Sequence, residues 1–247
     1  MTDVNPVAKL FAALLLAVAL IATLDPVSAG TALALELALF PFAGVPWRTF
    51  WRRTAVVWIA APLTALTILL YGQRSGVVHL EWLFIVVSDG SIVLAVATLL
   101  RVLAIALPAV VLFATVDLTA FADGLAQVLR LPARFVLGAF AALRLATLFT
   151  DDWRSLELAR RARGVADRGR LRRFASAAFA LLVLSIRRGS SLATAMEARG
   201  FGGSTPRTWA RPSTFGAREW LLLLVATLVA TAALTAAALT GSWNALV

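Results

Sequence analysis

Ala195-Met196-Glu197-Ala198-Arg199-Gly200-Phe201-Gly202-Gly203 closes an apolar segment that begins near Phe174. A shorter echo, Ala162-Arg163-Gly164, stands 36 positions earlier. In both places an Ala-Arg pair ends a helix-favouring run and a glycine follows. Glycine ends helices cheaply because it enters the left-handed conformation without a side-chain clash. The two triplets therefore read as matched helix tips, each presenting one arginine. The rest of the chain reads as the membrane frame that holds them.

That frame is implied by composition. The chain has 247 residues, 61% of them hydrophobic, and a mean hydropathy of +0.88. A soluble domain is usually about half apolar. An excess gathered into long runs indicates a polytopic membrane protein. The formal charge of +10 invites a nucleic-acid reading, but the arginines lie between apolar runs, as the positive-inside rule predicts. No nucleic acid is expected as a partner; the lipid bilayer is.

Rare residues narrow the chemistry. There is no cysteine, so thiolate nucleophiles, disulfides and Cys-based metal sites are excluded. His79 is the one histidine, which excludes a multi-histidine metal site. Lys9 is the one lysine and follows no glycine-rich turn, so the chain has no phosphate-binding loop. HExxH and GxSxG motifs are also missing. The expectation is a non-enzymatic protein without metal or cofactor, in which any ATP hydrolysis belongs to another chain.

Taken in order, Ala8 to Leu24 is a first apolar run of about minimal spanning length, broken by Asp25-Pro26. Val27-Ser28-Ala29 has the form of a signal-peptidase site, but the leader is nearly uncharged; a first transmembrane helix with a tight outer turn is preferred. Ala29 to Phe42 is a second span. Its Glu36 faces other helices, either lining a path or, as expected here, hydrogen-bonded between helices. Arg48, Arg52 and Arg53 beside Trp47 and Trp51 mark a cytoplasmic surface and place the N-terminus inside. Thr54 to Tyr71 is the third span, kinked at Pro62. Gly72 to Glu81, with Arg74 and His79, is then an outer loop in which the histidine is structural or idle. Trp82 to Val87 is too short to span, and Ser88-Asp89-Gly90-Ser91 interrupts it with turn and cap residues. Ile92 to Phe113 is the fourth span. Its Arg101 is either a functional intramembrane charge or a snorkelling or helix-bridging one.

After Thr115 the character changes. An amphipathic helix begins at Asp117-Leu118-Thr119-Ala120 and stops at Leu131-Pro132. Ala133 to Thr150 is apolar enough to be called a span by hydropathy alone. If it crossed, Asp151 to Arg173 would put eight arginines against four acids on the outer face, a strong breach of the positive-inside rule. Phe135 to Arg163 is instead expected as a long helix entered from the cytoplasm, with its basic end in the cytosol. Phe174 to Arg199 repeats the plan, Gly202 to Pro212 is a Gly/Pro/Ser/Thr break, and Trp220 to Leu239 is a last span ending with Val247 outside. The fold expected is all-α: about five transmembrane helices and two or three cytoplasmic helices. The divisions expected are transmembrane helices over 1–115, a cytoplasmic helical region over 116–212 and a final transmembrane helix over 213–247.

Glu157 to Val165 and Ala195 to Phe201, with spans before and one after, resemble the transmembrane T component of energy-coupling factor (ECF) transporters, the family that includes cobalt and biotin uptake versions. The specificity lies in Ala162-Arg163-Gly164 and Ala198-Arg199-Gly200. Ala159-Arg160-Arg161 offers another Ala-Arg pair, but Gly164 selects Arg163 as the tip. The resemblance implies that both triplets end crossed coupling helices and dock into two ABC ATPase subunits. It also implies that the helices cradle a small substrate-binding membrane subunit for a vitamin or metal ion. The competing expectation is a permease that binds its own solute through Glu36, Arg101 and Asp89. No residue pattern names the solute.

Overall fold

A proline opens each of the first two helices. In the computed structural model, which describes residues 4–23, 25–44, 46–72, 75–82, 85–164, 169–203 and 208–241, α1 is Pro6–Ile21 and α2 is Pro26–Leu39. Proline suits a helix start because its missing N–H is unpaired there anyway. Asn5 caps α1 through Val7 N–H, and Asp25 caps α2 through Ser28 N–H. A 3-10 turn, Phe40–Ala43, ends at Gly44 with φ +68°. α3 is Trp47–Tyr71, with Pro62 inside it. α4 is Asp89–Phe113, opened by a capping box in which Ser88 and Ser91 bond each other's backbone N–H groups. Then come α5 (Leu118–Gln127), α6 (Ala133–Ala162), α7 (Arg170–Ala198) and α8 (Ala217–Leu239).

The protein is nearly all-α and polytopic. Among the described residues four helices, α3, α4, α6 and α8, are long and apolar enough to cross a membrane. α1 and α2 are shorter, at 16 and 14 residues. Contacts divide the chain into two compact units, Met1–Phe121 with Ser213–Val247, and Ala122–Pro212.

In the first unit α1 packs on α8 and α4, α2 packs between α4 and α8, and α3 packs on α4. Its core joins Leu16, Leu20, Leu33, Leu103, Leu107 and Val229 with the alanines that let these helices approach. Leu14, Val18, Ile59, Leu63, Leu224 and Leu228 stay exposed. Such an outward apolar surface suits a lipid solvent and not water. One end of this unit is pinned by polar bonds. Glu219 accepts from the Asn5 and Gly216 N–H groups at 2.9 and 2.8 Å. Lys9 Nζ, fully buried, donates to Thr115 Oγ1 at 2.8 Å, and Arg53 Nη1 donates to the Ala114 carbonyl at 2.6 Å. The starts of α1, α3 and α8 and the end of α4 therefore share one end, which also carries Trp47, Trp51, Arg48 and Arg52.

The opposite connection departs from the sequence reading. Where an irregular loop and a short apolar run were expected, β1 (Val78–Trp82) and β2 (Ile85–Ser88) form an antiparallel hairpin. The strand pairing is broken by a bulge between Val78 and Leu80. That bulge releases His79, whose Nε2 lies 2.6 Å from Asp89 Oδ1. The histidine is thus structural, as one of its two expected roles had it, joining the hairpin to the first turn of α4. Arg74, Val165, Arg168, Arg207 and Val247, which entered the reading above, lie outside the described residues.

In the second unit Ala122, Ala126 and Val136 form a small core, covered by Leu125, Phe140 and Trp209. Gln127 Nε2 holds the Arg211 carbonyl at 2.9 Å. α6 and α7 pack on each other and bury little else.

Candidate functional site

Both expected tips are helix ends, and they share one local geometry. α6 stops at Ala162; Arg163 caps it with φ −90° and ψ 4°, and Gly164 follows at φ +67°. α7 stops at Ala198; Arg199 caps it with φ −89° and ψ 10°, and Gly200 follows at φ +80°. At each tip the glycine N–H returns to a carbonyl of the last turn: Gly164 to Arg161 at 3.0 Å, Gly200 to Glu197 at 2.9 Å. At the second tip Phe201 N–H also reaches the Met196 carbonyl at 2.9 Å. That pair of bonds is the Schellman arrangement, which needs a left-handed residue where Gly200 stands.

All six residues, Ala162, Arg163, Gly164, Ala198, Arg199 and Gly200, are exposed. A Cβ built on either glycine would meet nothing within 4 Å. Within this chain the glycines are thus required by backbone conformation and not by crowding. By contrast, Arg160, the competing tip, is engaged inside the hairpin of helices: its Nη2 donates to the Ser176 carbonyl and hydroxyl, both at 3.0 Å. Arg161 pairs with Glu157 one turn back at 2.8 Å. Their engagement leaves Arg163 as the arginine that α6 presents at its end.

A pair that the sequence reading missed ties the two helices. Arg188 on α7 makes a forked ion pair with Asp152 on α6, with Nη2 to Oδ1 at 3.0 Å and Nη1 to Oδ2 as the second contact. These residues are 36 positions apart, the same separation as Arg163 and Arg199. Each partner lies eleven residues before its tip, about 16 Å at the rise of an α-helix. The pair therefore joins the helices at equivalent points, with arms of equal length to each tip. Trp153 packs on Phe174 nearby, ring centroids 5.5 Å apart. The available signal was an acid and an arginine placed identically before the two triplets.

Elsewhere α6 and α7 leave a broad apolar surface bare. Phe135, Leu143, Leu158, Phe174, Phe179 and Ile186 are each more than half exposed.

The residues expected for a permease path are not brought together. Asp89 is exposed and occupied by His79. Glu36 is buried on α2, and the expected interhelical hydrogen bond is not there: neither carboxylate oxygen has a partner. Nε and Nη2 of Arg101 on α4 are buried without a partner, so this side chain neither snorkels fully to water nor bridges helices through them. Among the described residues no bond joins the three, and no group of three or more acidic or histidine side chains is placed to hold a metal.

The chain is 26% identical, over 205 residues, to the energy-coupling factor transporter transmembrane protein EcfT of Limosilactobacillus fermentum; the match covers 78% of this chain and 76% of that protein. Residues 1–209, which include both tips and all of the helices before α8, match the model of the CbiQ cobalt transport protein family. The chain therefore belongs to the CbiQ family and is a transmembrane T component of energy-coupling factor transporters.

Proposed function

We propose that this chain is the coupling subunit of an ECF-type importer. It transmits ATP-driven motion from two ABC ATPase subunits to a separate substrate-binding membrane subunit for a vitamin or metal ion. The observation that carries the reading is the repeated tip: two helix ends with the same caps, the same Ala-Arg-Gly order and one exposed arginine each. A partner made of two similar subunits offers two similar grooves, and small flanking residues let each helix end enter closely. Arginine supplies a rigid fork of donors for carboxylates or carbonyls on the groove floor.

The Asp152–Arg188 pair supports the mechanics. A helix transmits displacement because its backbone bonds keep it straight, and a bonded contact converts motion of one tip into tilt of the rest. When the ATPase grooves approach each other, the tips follow, and the apolar faces of α6 and α7 turn against whatever they cradle. That occupant is the substrate-binding subunit, whose own membrane helices would cover Phe135, Phe179 and Ile186. The region 116–212 acts as the coupling element in the cytoplasm or at its membrane surface, 1–115 and 213–247 anchor it, and the N-terminus is cytoplasmic. The arginine excess of 151–173 is the support for that orientation.

The test is reconstitution. The chain in liposomes should move no solute alone, should bind a pair of ABC ATPases without any binding subunit, and should support ATP-dependent uptake only with both partners. Solute movement by the chain alone would establish a permease and reject the coupling role.

A further inference from the structure

The chain passes between the two units twice, after Phe121 and before Ser213. On the side of the first unit, both connections are held from the start of α1. Asn5, the cap residue, is 8% exposed, and Lys9, about one helical turn on, is 1% exposed. Lys9 Nζ donates to Thr115 Oγ1 at 2.8 Å, on the way out of α4. Asn5 Nδ2 donates to Ser213 Oγ at 2.9 Å and to the Thr214 carbonyl at 3.0 Å, on the way into α8. Every atom in these bonds belongs to the first unit.

Neither residue is explained by α1 alone. Lysine is almost never fully buried unless paired, and here the partner lies 106 positions away. Asn5 Oδ1 caps α1 by accepting from Val7 N–H. Serine or aspartate would cap as well, but only an amide also offers N–H donors to a second segment. Other bonds keep each connection compact. Arg53 Nη1 holds the Ala114 carbonyl at 2.6 Å, and the Phe121 ring stands edge-on to Phe113 with centroids 6.4 Å apart. Glu219 closes the other connection through the Asn5 and Gly216 N–H groups. Within the second unit the same two segments meet again, Gln127 Nε2 on the Arg211 carbonyl.

A lever turns only against a point that does not slide. If both connections were loose, they would absorb displacement of the tips; held together, they convert it into rotation. We propose that Asn5 and Lys9 are positioning residues for coupling: they fix both connections to one turn of α1, and that turn is the pivot about which the second unit moves. The inference rests on the coupling role proposed above.

Spin labels at Thr64→Cys on α3 and Ser190→Cys on α7, both exposed, report motion between the units in the full chain bound to its ATPase pair. Trapping the ATPases with Mg-ATP and vanadate should shift the wild-type distance as one resolved peak. Thr115→Val removes the acceptor for Lys9 at nearly constant shape, and Asn5→Asp keeps the cap of α1 but loses the amide donor. Each should keep the ATPases bound and broaden the trapped peak, and the double variant should lose the shift. In the chain alone, exchange of the Ala114 and Val116 amides, bonded to the Val110 and Phe113 carbonyls, should quicken in Thr115→Val by roughly five- to ten-fold, the scale of one lost hydrogen bond. Thr115→Ser keeps the hydroxyl and should restore both readings. Thr54→Val removes a buried hydroxyl bonded only within α3 and should change neither. An unchanged shift in the single and double variants would overturn the inference and leave the coupling role standing. So would the same loss in Thr54→Val, or release of the ATPases by either single variant. No shift in wild type would reject the coupling role and this inference together.

Discussion

Exchanging the partners of the α6–α7 ion pair tests whether this contact sets the geometry of the tips. Asp152 is 18% exposed and Arg188 40% exposed, and their two contacts form a charge-assisted fork. Hydrogen bonds to charged groups contribute about 1.5–3 kcal/mol when sheltered, whereas exposed pairs contribute about 0.2–1 kcal/mol. A half-sheltered pair therefore has a coupling energy of about 1–2 kcal/mol, or roughly a 5–30-fold change in the population of the paired arrangement. Asp152→Arg places two arginines at the contact and Arg188→Asp places two acids there; each should loosen it. The exchange of both restores an acid opposite an arginine. The chain has no cysteine, so spin labels at Ala162→Cys and Ala198→Cys report the tip-to-tip distance by pulsed electron resonance without background. Each single reversal should broaden the distance distribution, and the double exchange should return most of its sharpness. Narrow distributions in both single variants would refute the idea that this pair fixes the tip geometry. An exchange no better than the singles would mean that Trp153 on Phe174, and not the charges, holds the helices.

Three other outcomes are expected. For orientation, an impermeant thiol reagent on intact cells should label Ser75→Cys and leave Ser155→Cys untouched; labelling of Ser155→Cys would reverse the assignment of the basic face. Gly200→Val should weaken ATPase association while membrane insertion stays normal, because a β-branched residue at φ +80° is strained; unchanged association would reduce Gly200 to a dispensable helix end. Gly189→Ala, in the interior of α7 with open space around its Cβ, should by contrast stabilise that helix by about 0.5–1 kcal/mol and leave association unaltered, measured by thermal unfolding and by pull-down.

Much of this protein was legible as a string. Helix ends at Arg163 and Arg199 could be read because one glycine after a helix-favouring run has a single cheap conformation. The cap at Ser88-Asp89-Gly90-Ser91 could be read for the similar reason that short hydroxyl side chains satisfy the first N–H groups of a helix. The hairpin over Val78–Ser88 could not. Its strands are only 5 and 4 residues long, the run is too short for a period to separate strand from buried loop, and the bulge at His79 breaks what alternation there is. The tie between Asp152 and Arg188 was hidden differently. Each looked like an ordinary charge on a basic helix, and only the packing of α7 on α6 makes residues 36 apart neighbours. Glu36 shows the reverse failure: burial was foreseen, but the general rule that buried carboxyls find partners does not hold here among this chain's own groups.

The central claim is that Arg163 and Arg199 each occupy one groove of an ATPase pair. Its most direct test is co-purification of the ATPases, with solute uptake, for charge reversals at the tips. An acid facing a site built for a cation costs several kcal/mol in a desolvated contact, while alanine loses only the hydrogen bonds. Arg163→Glu and Arg199→Glu should each impair uptake more than Arg163→Ala and Arg199→Ala, and the double reversal should release the ATPases. Reversals at Arg144 and Arg154, exposed arginines of α6 well before its tip, should do little. If the tip reversals retained the ATPases and uptake as these controls do, the paired-tip account would be contradicted.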